Sequence, residues 1–116
     1  MSDIKRLESG PRMSQASIHN GLVYLAGQVA EGATVREQTA AALAEIDRLL
    51  AAAGSSRSRI LSAQVWLADI ADFAEMNLAW EAWVDPKNPP SRATGQVVLA
   101  APQYRVEIIV VAAQND

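Results

Sequence analysis

Residues 14–28, SQASIHNGLVYLAGQ, contain the pattern from which the fold of this chain can be worked out. The pair Asn20-Gly21 stands at its centre, and both residue types tolerate the positive φ angles of a tight two-residue turn. The flanking residues 14–19 and 22–28 are rich in types that favour strands. The stretch therefore predicts an antiparallel hairpin, and a further short strand is predicted near residues 4–7.

The sequence after the hairpin predicts two helices. Thr34 and Glu37 have the spacing of a capping box, and apolar residues recur at helical spacing until Gly54, which suits a left-handed cap. A second apolar stripe begins after Asp69, a suitable N-cap, and ends before Pro86, which cannot continue a helix. Its members share the helical spacing and are Phe73, Met76, Trp80 and Trp83. Strand-forming residues occupy three further segments, namely 60–67, 92–99 and 105–113.

This order of elements, β-β-α-β-α-β-β, predicts one α+β domain over residues 1–116, with a single mixed sheet backed on one face by two helices. In the strand at 60–67, alternation places one set of side chains on the helices, namely Leu61, Ala63, Val65 and Leu67. The opposite faces of the strands carry apolar side chains too, namely Tyr24, Trp66, Val98, Ile109 and Val111. One domain has no second layer to cover that face, so we expect other subunits to cover it.

Composition excludes several classes of function. The 116 residues carry 10 Lys and Arg against 13 Asp and Glu, a net charge of −3, and the basic residues are scattered, so nucleic acid is not an expected partner. The absence of cysteine excludes thiol nucleophiles and Cys-ligated zinc, and one histidine allows no His-rich metal motif. We therefore expect no metal and no cofactor. That histidine, His19, is predicted to be a solvent-facing residue beside the hairpin turn.

The hydropathy of the chain predicts its location. No apolar run approaches the ~20 residues that cross a bilayer, and residues 1–12 contain no apolar signal core. We expect a cytoplasmic protein without membrane contact.

Two charged residues in apolar strands are the strongest candidates for chemistry. Arg92 opens a strand directly after a proline-rich turn, and Glu107 lies inside the most hydrophobic strand, where an unpaired carboxylate is costly to bury. They could form strand-edge charges or a structural ion pair. Alternatively, Arg92 could bind the carboxylate of a small ligand bidentately while Glu107 orients a water or takes a proton. Trp80 and Trp83 are predicted to be core residues, and Trp66 to lie at a subunit interface.

Beyond these patterns, the sequence resembles the RidA (reactive intermediate deaminase) family, also called YjgF-like, over about residues 15–113. The matching pieces keep the family's order and spacing and are residues 21–28, Gln38-Thr39, Leu43, Ile46, Ala53-Gly54, residues 67–69, Phe73, Met76-Asn77, Trp80, Trp83, residues 90–92 and residues 106–108. The resemblance implies a chorismate-mutase-like α+β fold. It also implies a homotrimer whose sheets face inward, with clefts between subunits.

The same resemblance implies an activity and a site. Family members with the full site hydrolyse 2-imino acids, or their enamine tautomers, to 2-oxo acids and ammonia. The arginine matching Arg92 binds the substrate carboxylate, and the glutamate matching Glu107 helps position the attacking water. Backbone groups near Gly27 and Thr94 line the same cleft.

Three positions depart from the family pattern. Many deaminase-active members have tyrosine where Met13 stands and serine where Ala26 stands, so two hydroxyl groups near the substrate are replaced by apolar groups. A larger apolar residue is usual where Gly95 stands. These differences keep open a non-catalytic trimer that binds or senses a 2-oxo acid or related small carboxylate. A chaperone-like role for the apolar sheet face is a third hypothesis.

Overall fold

The computed structural model describes residues 3–116, which form one six-stranded sheet, two α-helices and two short 3-10 helices. In chain order, the strands and α-helices are β1 Lys5–Leu7, β2 Ala16–His19, β3 Leu22–Leu25, α1 Val35–Ala52, β4 Ile60–Leu67, α2 Phe73–Trp83, β5 Ser91–Gln96 and β6 Val106–Ala113. The predicted order is confirmed, including the additional first strand. Strands β2, β3, β5 and β6 are shorter than predicted.

The sheet has the strand order β1-β2-β3-β6-β4-β5. Strands β4 and β5 are parallel, because α2 carries the chain back across the sheet between them, and the other neighbouring pairs are antiparallel. The sheet is therefore mixed, as predicted. Strand β5 lies at one edge, where its outer side has no neighbouring strand among residues 3–116.

The hairpin forms where the Asn-Gly pair predicts it. Asn20 and Gly21 have φ angles of 51° and 78°, and His19 pairs directly with Leu22. The interpretation of His19 as a solvent-facing turn residue is wrong, because His19 is a half-buried residue of β2. Its Nδ1 is buried and has no hydrogen-bond partner within the described chain.

Helix α1 begins with the predicted cap. The backbone N–H of Glu37 donates to Thr34 Oγ1 at 3.1 Å, and the Thr34 hydroxyl in turn donates to Glu37 Oε1 at 3.2 Å. The helix ends at Ala52, two residues before Gly54, which has a φ of 77°. At the second helix, Asp69 caps a short 3-10 turn, residues 70–72, by accepting from Ala71 N at 2.9 Å. That turn, and not Asp69 itself, leads into α2.

Thr34→Ala tests the cap. Because it leaves the Glu37 N–H without its side-chain acceptor, we expect the free energy of unfolding to fall by about 1 kcal/mol. Urea denaturation followed by circular dichroism measures the change. Thr34→Ser keeps the hydroxyl and is the matched control, so an equal loss in both variants would contradict the role of the cap.

The core lies between the helices and one face of the sheet. Alternate residues of β6 are buried there, namely Val106, Ile108, Val110 and Ala112. The same core contains three of the four β4 residues that were predicted to face the helices, namely Ala63, Val65 and Leu67. The prediction that Leu61 also faces the helices is wrong. A bulge between Ile60 and Ser62 shifts the register, so Ile60 is buried and Leu61 is 50% exposed.

The predicted stripe of α2 is only partly buried. Met76 and Trp80 belong to the core, whereas Trp83 is half-buried against it and Phe73 is 43% exposed. Trp80 is therefore a core residue as predicted, and Trp83 lies at the margin of the core.

Within residues 3–116, no second layer covers the other face of the sheet, as predicted. Its apolar side chains are exposed or half-buried and include Tyr24, Trp66, Ile109 and Val111. Val98 is 98% exposed but lies beyond the end of β5 and not on it. We call this surface the open face. Within residues 3–116, no helix has both the length and the apolar character needed to cross a membrane.

Candidate functional site

Arg92 lies on the edge strand β5 and points toward the helices. It pairs with buried Ala63 of β4, which places both side chains on the helix side of the sheet. Its Nη1 donates to Asn77 Oδ1 at 2.8 Å, and its Cζ lies 5.2 Å from the ring centroid of Trp80 and 5.9 Å from that of Phe73. One neutral hydrogen bond and two aromatic rings therefore hold the guanidinium in place.

The Arg92 guanidinium forms no ion pair with any residue from 3 to 116. Burial lowers the pKa of Arg92 from its ordinary value, and the negative charge of Glu81 acts in the opposite direction. From residue 3 onward, no carboxylate lies within ion-pair distance of the guanidinium. The structural ion pair with Glu107 is therefore not formed within one chain. Most of the N–H donors of Arg92 remain available to an anion.

Thr94 follows Arg92 on the same side of β5. The two residues are two positions apart, and Thr94 pairs with buried Val65 on the helix side. The Thr94 hydroxyl is buried and makes no hydrogen bond to the rest of the described chain. Buried hydroxyls normally have a partner. We call Arg92, Thr94 and Asn77 the arginine half-site.

Glu107 and Gly27 form a second cluster on the open face. Glu107 pairs with Trp66, and its carboxylate lies directly over Gly27, where a Cβ would be 2.0 Å from Oε2. The adjoining backbone is fixed by two hydrogen bonds between Gln28 and Ile108, of 2.9 and 3.0 Å. Only glycine leaves room for this carboxylate at position 27. We call Glu107 and Gly27 the glutamate half-site.

Met13 and Ala26 lie at the open end of the β2–β3 hairpin, next to Gly27. Ala26 N donates to Gln15 O at 2.9 Å, while Met13 lies two residues before Gln15 and is 50% exposed. The amide Nε2 of Gln28 ties this end together by donating to Gln15 Oε1 at 2.9 Å and to Ala26 O at 3.0 Å. Two of the three departures from the family pattern therefore belong to the sheet end that carries the glutamate half-site.

One chain does not bring the two half-sites together. Arg92 and Glu107 lie on opposite faces of the sheet, with β4 between their strands. Two strand spacings separate β5 from β6 by about 10 Å. Within one chain, the sheet itself therefore lies between the two side chains.

Asn77 was not assigned a role from the sequence. It shares one face of α2 with Phe73 and Trp80, at spacings of four and three residues, and this face contacts Arg92. The available signal was a polar residue inside an otherwise apolar helical stripe.

The structure shows no candidate metal site. Residues 3–116 contain no cluster of three His, Asp or Glu side chains that could hold an ion.

Comparison with known proteins shows which family has this architecture. The family model described as Endoribonuclease L-PSP matches residues 4–114. A RutC family protein of Haemophilus influenzae is 49% identical over 112 residues, covering 94% of this chain and 97% of that protein. The RutC family protein YoaB of Escherichia coli is 47% identical, with coverage of 95% and 97%.

A solved structure shows the same fold. The crystal structure of a YjgF family member from Neisseria meningitidis superposes with a TM-score of 0.97 at 46% identity, covering 98% of this chain and 97% of that one. The family model spans every strand from β1 to β6. The chain therefore belongs to the Endoribonuclease L-PSP family, the family to which the RidA or YjgF-like resemblance of its sequence pointed.

Proposed function

We propose that this chain hydrolyses 2-imino acids, or their enamine tautomers, to 2-oxo acids and ammonia at a site shared by two copies. The observation that carries the proposal is the state of Arg92. Its guanidinium is held by Asn77 and two aromatic rings, has no carboxylate partner in the described chain, and lies beside an unpaired Thr94 hydroxyl. Such a group suits a bidentate interaction with a carboxylate that comes from outside the chain.

The reaction needs only positioned water and a proton carrier. The C=N carbon of an imino acid is already electrophilic, so the water oxygen can form the C–O bond directly. Glu107 would orient the water, take one of its protons and return it to the nitrogen, which gives a carbinolamine. It would then carry the hydroxyl proton to the amine nitrogen, so that the C=O bond forms as the C–N bond breaks and ammonia leaves. Binding the substrate carboxylate on Arg92 fixes the imine carbon relative to that water.

The position of the half-sites supports a shared site. Since Arg92 and Glu107 of one chain face opposite sides of the sheet, a neighbouring copy would bring its arginine half-site to the glutamate half-site. The open face has the apolar side chains that such an interface buries. A homotrimer is the assembly that the family resemblance implies, and we propose it here.

The description of the family model also names RNA cleavage. Two features of this chain give that activity no support. The net charge is −3, and the ten Lys and Arg are scattered along the sequence, whereas phosphate contacts need clustered basic residues. The single histidine, His19, belongs to the hairpin end of β2 and has no place in either half-site.

The test is imine hydrolysis. An amino-acid oxidase generates 2-iminobutanoate in place, and semicarbazide competes for it. We expect the chain to suppress semicarbazone formation in proportion to its concentration. An unchanged rate of semicarbazone formation would contradict catalysis. Saturable stabilisation by 2-oxobutanoate in a thermal-shift titration would then identify the alternative, a binding or sensing protein for a small carboxylate.

Asn77→Ala should weaken the arginine half-site without removing its charge. The substitution deletes the 2.8 Å hydrogen bond that fixes Arg92 Nη1, so the guanidinium loses orientation. We expect KM to rise about tenfold, which corresponds to ~1.4 kcal/mol and lies near the lower end of the range of about 1.5–3 kcal/mol for a hydrogen bond to a charged group. A larger loss of kcat than of binding would contradict this positioning role. Asn88→Ala, in the exposed turn before β5, is the matched control.

A further inference from the structure

We infer that a groove on the open face, between Trp66 and Gly95, accepts the side chain of the substrate and selects 2-imino acids with bulky apolar or aromatic side chains. The inference rests on the proposed function, because it assigns a second part of the same site. Gly95 is the residue that creates the groove, and Trp66 forms its wall.

The first step of the argument is the register of the sheet. Glu107 on β6 pairs with Trp66 on β4, and Trp66 pairs with Gly95 on β5. Paired residues of neighbouring strands point to the same side of a sheet, so these three positions form one row across the open face. The row begins at the glutamate half-site and ends at the edge strand.

The second step is the space along this row. A Cβ added to Gly95 would meet no atom within 4 Å, and the indole of Trp66 beside it is half-buried. A groove of about 220 Å³ opens there, lined by Gln64, Trp66, Ala93, Thr94, Gly95 and Val97. The volume is below that of pockets that hold whole drug-sized ligands, which are about 300–1,000 Å³. It suits one side chain of a small molecule.

The third step is the chemistry of the lining. None of the six lining residues is charged, and most of them offer methyl, methylene or aromatic surface. A charged substrate side chain would find no group of opposite charge here. An isobutyl or benzyl group would instead contact the Trp66 ring and fill the space over Gly95.

The fourth step is the distance between Glu107 and the groove. Neighbouring strands are about 4.8 Å apart, so Trp66 begins one spacing from Glu107 and Gly95 lies two spacings away. An imine carbon positioned at Glu107 would therefore place a short methyl group before the groove, whereas an isobutyl or benzyl group would enter it. Discrimination should grow with the apolar surface of the side chain.

The experiment compares substrates on the assembled protein. Oxidase-generated imines of alanine, leucine and phenylalanine are assayed with wild type, Gly95→Ala and Gly95→Val. We expect wild type to favour the leucine and phenylalanine imines in kcat/KM. In Gly95→Val, the ratio of either large imine to the alanine imine should fall at least tenfold, and Gly95→Ala should lie between. An unchanged ratio in Gly95→Val overturns the inference.

A matched control distinguishes an effect of the substitution on the groove from an effect on the subunit interface. Ala113→Val adds bulk to the open face at the opposite end of β6, and its substrate ratio should match wild type. Light scattering reports the oligomeric state of every variant. If Gly95→Val changes the assembly and all imines lose activity in equal proportion, a second copy fills the groove and the inference is overturned.

Failure of the proposed function is recognised separately, because wild type would then hydrolyse none of the imines. In that case, the groove is tested by titrating 4-methyl-2-oxopentanoate while recording tryptophan fluorescence. Saturable quenching in wild type that is lost in both Trp66→Phe and Gly95→Val supports the groove as a side-chain subsite. Equal quenching in all three proteins, or none in wild type, overturns it.

Discussion

Replacing Arg92 by alanine is expected to lower kcat/KM for 2-iminobutanoate at least ~30-fold while the protein stays folded. Removing one partner of a buried, hydrogen-bonded charge pair costs about 2–5 kcal/mol. That loss of transition-state binding corresponds to a rate effect of about 30-fold to several thousand-fold. The assay is the semicarbazide competition, run with wild type and Arg92→Ala at equal subunit concentration.

Two further variants make this result specific. Arg92→Lys keeps the charge but loses the planar fork, so its activity should lie between those of wild type and Arg92→Ala. Arg36→Ala removes an exposed arginine of α1 and should behave like wild type. Circular dichroism should show folded protein in all three. Wild-type turnover by Arg92→Ala would show that another group binds the carboxylate.

The secondary structure could be predicted because its signals are local. The turn at Asn20-Gly21 and the cap at Thr34 depend on neighbouring residues, and both form as predicted. The order of the elements followed from such signals. The uncovered face followed from counting apolar faces against available layers, and it is also observed.

The predictions that were wrong concern details that depend on contacts between residues far apart in the sequence. The bulge at Ile60 and Ser62, which exposes Leu61, arises in the pairing of β4 with β6 and has no signal in the alternation of β4 alone. His19 is half-buried for a related reason, since the rest of the sheet decides how much of a strand residue is covered.

In the candidate site too, some features could be predicted from local sequence signals, whereas others depend on contacts between distant residues. Arg92 and Glu107 could be chosen from the sequence because charges inside apolar strands are unusual. Their separation onto opposite faces could not be predicted, since it depends on which strands are neighbours and in what register. The contact between Asn77 and Arg92 joins a helix to an edge strand and appears only in the folded chain.

The second large effect concerns the contact between Gly27 and Glu107. Glu107→Ala should lower kcat/KM at least 100-fold by removing the group that orients the water and carries its proton, because general acid–base catalysis typically contributes about 100- to 10,000-fold. Gly27→Ala should lower kcat/KM almost as much. Its new Cβ would lie 2.0 Å from Glu107 Oε2, so the carboxylate must move away. The half-buried Glu107 side chain can move at little cost in stability.

A double-mutant cycle tests whether Gly27 acts through Glu107. If the methyl group harms catalysis only by displacing the carboxylate, Gly27→Ala adds no further loss once Glu107 is already alanine, and the double variant matches Glu107→Ala in kcat/KM. Additive losses would instead show that Gly27 contacts the substrate directly. Gly10→Ala is the control for an added methyl group, because the nearest atom to its Cβ would be 3.8 Å away. It should leave kcat/KM unchanged, since no carboxylate or other side chain would have to move to make room for the methyl group.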